Sequence, residues 1–411
     1  MECVSYQVYD KAKQSSQAVS LMYTLITSSK FFFMDFAEEL QNQEKLDKLV
    51  IGYPRFKLHN YGISKNKVST FPYLHASLMK FQSLIGLLPL PLQDCLSLLD
   101  VKSITIFAKI SNRRETTFVA MSSMAREILN SSRFPERQKV VIFRASRHIV
   151  EQDEILKSAT KEWGIHLQTP SLSMIRREIS EYELADLIIV PSEICAESFA
   201  RHGIDQDKVK VIYFPHTLNT YTNDSETVRN RKKVTFVGNV SAQKGIVTLL
   251  EAWKMLEKTD LILTLIGKTD HKFIAFLEGR GLVIPNVHFT GHLNHDEIQH
   301  HLAQTSLFIM PSIQEGWPMA LMEAISMKCV TLISDAICKI EELPNSNMNY
   351  LFESGNHTQL AQMISELTSE DLQTGLDEAR SRLSDYPVRT WTNFVDEFSE
   401  TVEALHRNDQ K

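Results

Sequence analysis

Short apolar runs alternate with longer stretches of mixed polarity along most of the chain. The runs at 18–27 (AVSLMYTLIT), 140–143 (VVIF) and 187–190 (LIIV) are apolar almost throughout. This is typical of parallel strands whose sheet is covered by helices on both faces. The pattern therefore predicts an α/β fold with doubly wound, Rossmann-like sheets, in which ligands bind beyond the carboxyl ends of the strands.

The alternation occurs twice, with a polar interruption at 220–233 that has no apolar period, as in a linker. Strands are predicted at 18–27, 46–51, 68–72, 118–120, 140–143, 187–190 and 209–213, and in a second series at 234–237, 261–266, 287–289, 307–310 and 330–333. Apolar residues at helical spacing over 390–407 predict a C-terminal helix. We predict a first domain at 1–215, a linker at 216–231, a second domain at 232–385 and a final helical segment at 386–411.

Composition narrows the class of protein. The 411 residues suffice for two domains, and a net charge of -6 does not favour a nucleic-acid partner. None of the five cysteines forms a C-x-x-C pair, so we expect reduced thiols in a cytoplasmic compartment. We expect neither a signal peptide nor a membrane-spanning helix, because the sequence lacks both patterns.

The stretch 306–333 (SLFIMPSIQEGWPMALMEAISMKCVTLI) places two carboxylates in a strand–loop–helix–strand unit. Glu315 lies in the loop, and Glu323 lies eight positions later in the helix. A helix N-terminus attracts a diphosphate, and a carboxylate can accept hydrogen bonds from two sugar hydroxyls. Glu315 could hold one sugar of a nucleotide-sugar and Glu323 the ribose. The alternative is a solvated loop residue and a polar helix face.

The stretch 234–245 (VTFVGNVSAQKG) is a predicted strand followed by a glycine-bearing loop and a helix. Lys244 in that loop could reach a diphosphate as a compact point charge and neutralise it as a leaving group. The alternative is a surface lysine beside a glycine that ends a turn.

These two stretches together resemble the retaining glycosyltransferases of family 4, whose fold is called GT-B. Lys244 matches the lysine of the family's phosphate motif, whereas Asn239 stands where the family usually has Arg. The loops after the strands at 263–267 and 287–291 resemble those that surround the nucleotide base. The donor contacts that the resemblance implies are Gly238, Asn239, Lys244, His292, Glu315, Gly316, Trp317, Pro318, Met319, Ala320, Leu321 and Glu323.

The resemblance implies an enzyme that moves a sugar, with retention, from a nucleotide-diphosphate sugar to a hydroxyl of a glycan or glycolipid in cell-surface polysaccharide or lipopolysaccharide synthesis. It implies no cofactor and no metal, since Lys244 and a helix N-terminus carry the diphosphate charge. The triplet Asp205-Gln-Asp207 is therefore interpreted as a solvated turn, and the four histidines at 292–301 as the start of a helix. A non-catalytic nucleotide-sugar-binding or scaffold subunit is one alternative, and a hydrolase or phosphorylase of the same fold is another.

Polar residues at the predicted strand ends of the first domain suggest an acceptor side. They are Ser28, Ser29, Ser122, Arg144, Ser146 and His148. His148 is expected to face the cleft and to accept a proton or hydrogen bond from an acceptor hydroxyl; the alternative is a satisfied loop histidine. At the position where many family members carry a cleft-facing His, Phe32 or a neighbour is found instead.

The segment 81–92 (FQSLIGLLPLPL) is apolar and contains two prolines. We expect a loop that covers the core. Contact with a membrane or with a lipid-linked acceptor is the alternative.

Overall fold

The structure is a computed structural model that describes residues 21–30, 32–111, 116–131, 138–215, 230–256, 260–343, 346–381 and 389–408. Within these residues, the chain forms two parallel β-sheets with helices packed against them. The predicted fold class, two doubly wound α/β sheets, is confirmed. Among the described helices, none is long and apolar enough to cross a membrane.

The first sheet has seven parallel strands in the order β3-β2-β1-β4-β5-β6-β7. Its strands are β1 (Tyr23–Thr27), β2 (Leu46–Ile51), β3 (Val68–Thr70), β4 (Thr117–Met121), β5 (Val140–Phe143), β6 (Leu187–Val190) and β7 (Val209–Val211). The helices of this domain are α1 (Phe33–Asn42), α2 (His75–Lys80), α3 (Gln82–Ile85), α4 (Leu90–Ser111), α5 (Arg126–Leu129), α6 (Ile149–Trp163), α7 (Leu172–Leu184) and α8 (Glu193–Arg201).

The second sheet has six parallel strands in the order β10-β9-β8-β11-β12-β13. Its strands are β8 (Asn230–Val237), β9 (Ile262–Ile266), β10 (Val287–Gly291), β11 (Thr305–Met310), β12 (Val330–Ser334) and β13 (Asn349–Phe352). The helices that follow along the chain are α9 (Ile246–Met255), α10 (His271–Gly279), α11 (His295–Ala303), α12 (Met319–Ser326), α13 (His357–Leu367), α14 (Glu370–Ser381) and α15 (Trp391–Asn408). Strand β13 was not predicted from the sequence, and its two central residues are only partly buried.

Successive residues of the central strands enter different hydrophobic cores. Leu25 packs in the core on one face of the first sheet, and Ile26 packs in the core on the other face. Both side chains are fully buried, and burying each stabilises the fold by about 1.5–3 kcal/mol. This double burial explains why the strands are apolar throughout rather than alternating.

Helix α15 returns from the end of the second domain to the first domain. Its Phe394 and Phe398 rings stack edge-to-face on Phe36, with ring centroids 5.3 and 5.1 Å apart. Gln43 donates a hydrogen bond of 3.0 Å to Asp396 at the edge of this contact. The C-terminal helix predicted from apolar spacing is therefore present, and its apolar face packs against the first domain.

Two regions differ from the sequence-based predictions. Strand β8 begins at Asn230, inside the linker predicted at 216–231, while residues 216–229 lie outside the described part of the chain. The segment 81–92 was predicted as a core-covering loop, and this prediction was wrong. It forms α3 and the start of α4. Pro91 lies in the first turn of α4, where backbone N–H groups have no intrahelical partner, so a proline there costs no hydrogen bond.

Candidate functional site

Close backbone contacts shape the carboxyl edge of the second sheet. Gly245 has φ +71°, and a Cβ there would lie 1.7 Å from the carbonyl oxygen of Pro311. Only glycine fits such a conformation and contact. The Ile313 N–H donates a 3.2 Å hydrogen bond to the Gln243 carbonyl. The loop after β8 is thus held against the loop after β11.

This contact brings together the two charged residues that the sequence analysis selected. The Lys244 ammonium donates to the Glu315 carboxylate in a direct ion pair. The Lys244 side chain is 27% exposed and the Glu315 side chain 13%. The pair is therefore mostly buried but still accessible to solvent.

Helix α12 begins directly after this loop. Its N-cap is Pro318, which makes no side-chain hydrogen bond to the first turn. The N-terminal N–H groups of a helix favour negative charge. Glu323 lies further along the helix, and burial raises the pKa of its carboxyl, opposed by nearby His295. The His295 Nδ1 lies 3.9 Å from Glu323 Oε1.

Three glycines bring backbone together at the end of the sheet where the base is expected. A Cβ at Gly267 would lie 1.9 Å from the carbonyl oxygen of Gly238, and the Gly267 N–H donates to the Gly291 carbonyl at 2.9 Å. The side chains of Asn239 and His292 are exposed beside these glycines in sequence. Backbone groups therefore dominate this edge, with two exposed polar side chains near them.

Several of the remaining predicted donor residues, in the loop before α12 and in its first turn, serve packing. Leu321 is fully buried, and the Trp317 ring packs on Tyr213 of the first domain with centroids 5.1 Å apart. Pro318 is also buried, whereas Met319 is 37% exposed and Ala320 is partly buried. Trp317, Pro318 and Leu321 thus fix the position of the Glu315 loop and of the helix start.

The two domains meet at the Glu315 loop. A Cβ at Gly316 would lie 2.0 Å from the carbonyl oxygen of Ala145, on the loop after β5. In the same contact, the Ser146 hydroxyl donates to the Gln314 side chain at 3.4 Å. The Cys195 sulfur of α8 lies 3.8 Å from the Glu315 carbonyl oxygen. The Lys244–Glu315 pair therefore lies beside the interdomain contact.

The predicted acceptor-side residues lie at the carboxyl edge of the first sheet, as expected from their strand ends. Ser28 and Ser29 are partly buried after β1, where the Ser29 N–H donates to Thr27 Oγ1 at 3.1 Å. Arg144 after β5 donates to the Ser122 hydroxyl at 3.3 Å and pairs with Glu178 of α7 at 3.0 Å. The Arg144 guanidinium is thus bound within the first domain.

His148 is placed differently from our expectation that its ring faces the cleft. The residue is 3% exposed and is the N-cap of α6, with its Nδ1 accepting from the Val150 N–H at 3.4 Å. Its ring stacks on His202, with centroids 4.4 Å apart. Burial, with help from His202 and Arg144, lowers the pKa of His148 to about 4. This arrangement fits the alternative of a satisfied histidine, and we assign His148 no role in the reaction.

Phe32 is buried in an aromatic cluster rather than facing a ligand. Its ring lies 4.4 Å from that of Phe214 and 5.5 Å from that of Phe143, and it stacks on Trp391 of α15 at 6.5 Å. This cluster occupies the position where the resemblance implied a cleft-facing histidine. It anchors the returning C-terminal helix.

Several buried residues that hold the loops at the carboxyl edge of the first sheet were not predicted from the sequence. Glu178 and Glu181 are buried acids of α7 that hold the loops after β4 and β5, and Arg177 pairs with Glu127 through a 2.7 Å hydrogen bond. Burial raises the pKa of Glu181 to about 7 against the effect of Arg177. The sequence at 176–183 contains five charged residues. This pattern is equally typical of the solvent-exposed face of a helix, so it did not predict buried acids.

Part of the chain matches a known family. Residues 219–387 match the family model described as glycosyl transferases group 1. A protein of Klebsiella pneumoniae, described as an uncharacterized 41.2 kDa protein in the cps region, is 23% identical over 165 residues, which cover 38% of this chain and 44% of that protein. The chain thus spans less than half the length of the curated relatives that it matches.

Solved structures resemble nearly the whole chain. Sucrose-phosphate synthase from Thermosynechococcus elongatus has a TM-score of 0.64 at 13% identity and covers 94% of this chain and 100% of its own. HepE of Anabaena, solved in complex with UDP and glucose, has a TM-score of 0.60 at 16% identity, with coverages of 93% and 100%. Such low identities show the fold alone. The chain therefore has the GT-B fold, and its second domain is similar to the glycosyl transferases of group 1.

Proposed function

We propose that this chain is a cytoplasmic, retaining glycosyltransferase that moves a hexosyl group from a nucleotide-diphosphate sugar to a hydroxyl of a glycan or glycolipid. The observation that carries the proposal is the contact between Lys244 and Glu315, beside the start of α12. A cation, a carboxylate and an uncapped helix N-terminus match the diphosphate and hydroxyl groups of such a donor.

The Lys244–Glu315 pair gives the site a switch between two states. Without donor, the two charges neutralise each other inside a partly enclosed cleft. When a donor binds, the ammonium of Lys244 exchanges the carboxylate for the diphosphate. Glu315 then accepts hydrogen bonds from hydroxyls of the donor sugar. Both charged groups keep hydrogen-bonding partners in either state, which limits the cost of burying them.

The proposed reaction breaks the bond between the sugar C1 and the diphosphate oxygen, and the bonding electron pair stays on that oxygen. The acceptor oxygen forms the new bond to C1 on the same face, and its proton passes to the departing diphosphate. Lys244 and the first turn of α12 stabilise the charge that develops on the leaving group. Glu315 orients the sugar, and Glu323 binds the ribose.

Relatives support the donor class and the biological setting. HepE was solved with UDP and glucose, and the Klebsiella relative is described by its place in a cps region. Another structure of the same fold is a lipopolysaccharide outer core galactosyltransferase, at 14% identity. We therefore infer a uridine or related nucleotide donor and a role in cell-surface polysaccharide synthesis, without a metal cofactor.

A non-catalytic subunit that binds a nucleotide-sugar is the second candidate. Asn239 favours it, because the phosphate loop then carries one cation, Lys244, where the resemblance implies two. Phe32 favours it as well, since an apolar ring cannot act on an acceptor hydroxyl.

Two measurements test the proposal. A thermal-shift panel of UDP, GDP, ADP and their common sugars should show one nucleotide that raises the melting temperature. Donor turnover with that sugar should fall roughly hundredfold in Glu315→Ala, as for the loss of one preorganised polar contact, and should stay unchanged in Glu278→Ala, an exposed glutamate of α10. Equal, background-level turnover in all three proteins would favour the non-catalytic subunit.

A further inference from the structure

One side of the first domain exposes an unusual amount of apolar surface. Of the eighteen large apolar side chains that are exposed within the described residues, eleven lie between residues 56 and 110. Leu87 is 81% exposed, and Leu90 and Ile110 are 71% and 72% exposed. We name the exposed side chains of 73–110 the α2–α4 surface. Apolar surface concentrated in this way marks an interaction site.

Helix α4 gives the surface its order. Leu92, Leu99 and Ile106 are exposed and seven residues apart, so they lie on one stripe of the helix. On the other side of α4, Ile104 and Ala108 are fully buried against the sheet. The helix is therefore apolar on the side that faces the sheet and on the outer side. This pattern is typical of a helix whose outer side is also covered by a partner.

The surface is part of the folded domain rather than a loose extension. The His75 Nδ1 of α2 lies 2.7 Å from a carboxylate oxygen of Asp100 in α4, and both side chains are about 10% exposed. Asp94 of α4 accepts a hydrogen bond from Ser173 of α7. These buried contacts hold α2 and α4 in fixed positions and present the apolar stripe outward.

The charge around the surface identifies the partner. Residues 73–110 contain three Lys and two Asp, a net charge of +1, whereas the whole chain carries -6. One of the two acids, Asp100, is buried with His75. Lys102 and Lys109 lie seven residues apart on α4, roughly 70° around the helix from the apolar stripe. Lysines beside an apolar stripe are typical of helices that lie on an anionic membrane surface.

The position of the surface relates it to the acceptor side. Helix α4 precedes β4 and packs on β1 and β2, so it runs back from the carboxyl edge of the sheet. Its first turn, with Leu90 and Leu92, therefore lies near that edge. Ser28 and Ser29 lie at the same edge, at the end of β1.

We propose that the α2–α4 surface docks on an anionic lipid bilayer, with the stripe of α4 in the interface and Lys102 and Lys109 at the headgroups. A second copy of the chain is a poorer partner, because a two-fold contact would place the lysines of two identical surfaces, Lys80, Lys102 and Lys109, against each other. The proposal does not rest on donor binding by the second domain. If both hold, the surface would bring a lipid-linked acceptor to the cleft.

Vesicle flotation tests the proposal. The full chain is mixed with vesicles of phosphatidylcholine alone, or with vesicles in which phosphatidylglycerol replaces roughly a third of the lipid. We expect flotation with the anionic vesicles at about 0.1 M salt, and much less at about 0.5 M, where charges are screened. The double variant Leu99→Glu/Ile106→Glu should lower the bound fraction at least tenfold, on the order expected for two buried apolar side chains.

The controls separate docking from folding and from donor binding. Val283→Glu alters a 47% exposed apolar residue of the second domain and should float like the wild type. Lys102→Glu/Lys109→Glu should lose binding to anionic vesicles while keeping the apolar stripe. All variants should have the melting temperature of the wild type and the same increase in it when nucleotide is added. A variant that had lost donor binding would lack this increase and would thus be distinguished from one that had lost only lipid binding. Absence of the wild type from the anionic lipid fraction would overturn the proposal. So would a dimer in sedimentation that Leu99→Glu dissociates, without lipid binding.

Discussion

Charged side chains gather at the carboxyl edges of both sheets, but they have different partners at each edge. At the second sheet, Lys244 and Glu315 contact each other across two loops and remain partly exposed to solvent. At the first sheet, Arg144 is held by Glu178 and Ser122, with 11% and 4% of the two charged side chains exposed. In the proposed function, Lys244 exchanges Glu315 for a ligand, whereas Arg144 and Glu178 stabilise the fold of the first domain.

In the proposed function, this difference follows from the ligand that each edge binds. Every nucleotide-diphosphate sugar presents the same diphosphate and ribose, so a cation, a helix N-terminus and carboxylates serve any such donor. Acceptors vary in shape and polarity, so no fixed set of charged residues is needed at the first edge. Polar residues at its strand ends can therefore stabilise the fold instead. Phe32 and His148 illustrate this, because both are buried in packing contacts.

The largest effect on stability is expected at the first edge. Glu178→Gln leaves the guanidinium of Arg144 without its charged partner in a buried site, so the free energy of unfolding should fall by about 3–5 kcal/mol. Denaturant titration measures this. Glu183→Gln, an exposed glutamate of the same helix, is the matched control and should be neutral. If Glu178→Gln were as stable as the wild type but failed to bind nucleotide, Glu178 would have a role in ligand binding rather than in folding.

The contact between the edges is tested by Gly316→Ala. A Cβ would lie 2.0 Å from the Ala145 carbonyl oxygen, so the two loops could no longer meet. We expect donor turnover to fall roughly tenfold, as reacting groups that are displaced by tenths of an ångström lose alignment. Gly375→Ala, where a Cβ meets nothing within 4 Å, should retain full turnover. Equal turnover in both variants would show that this contact does not matter for the reaction.

A gain of function is expected at the second edge. Asn239→Arg adds a cation beside the proposed diphosphate site, and the Asn239 side chain is exposed, so the new side chain has room. We expect the affinity for the nucleoside diphosphate to rise several-fold, up to about tenfold, as for one charge-assisted contact. Calorimetric titration measures it. Weaker binding than in the wild type would mean that Asn239 itself contacts the nucleotide.

The smallest effect concerns acid stability. The folded pKa of His148 is about 4, below its unfolded value of 6.5. As the pH falls from 6.5 to 4, the unfolded chain gains a proton that the folded chain does not, so the stability falls through that window. His148→Asn keeps an N-cap but cannot titrate. Its melting temperature should equal that of the wild type at pH 7.5 and exceed it by a few degrees at pH 5. Parallel melting curves at every pH would contradict the burial of His148.

The sequence was sufficient to predict both sheets and to select Lys244 and Glu315, which contact each other in the structure. The strands were evident because each is apolar on both faces, and Lys244 and Glu315 lie in short motifs next to such strands. The partners of Arg144 were not evident, because Glu178 lies 34 residues away and only the fold brings the two together. Periodicity also failed at 81–92, because α4 exposes apolar residues on its outer side and so lacks the usual two-sided pattern.

The central claim is that Lys244 binds the diphosphate of the donor while Glu315 binds its sugar. Calorimetric titration of the nucleoside diphosphate selected in the thermal-shift panel tests it most directly. Lys244→Met should weaken binding at least tenfold, because it removes the cation. Glu315→Gln should bind the bare nucleoside diphosphate as tightly as the wild type or more tightly, because Lys244 no longer has to leave a carboxylate. Unchanged affinity in Lys244→Met, or a large loss in Glu315→Gln, would contradict the account.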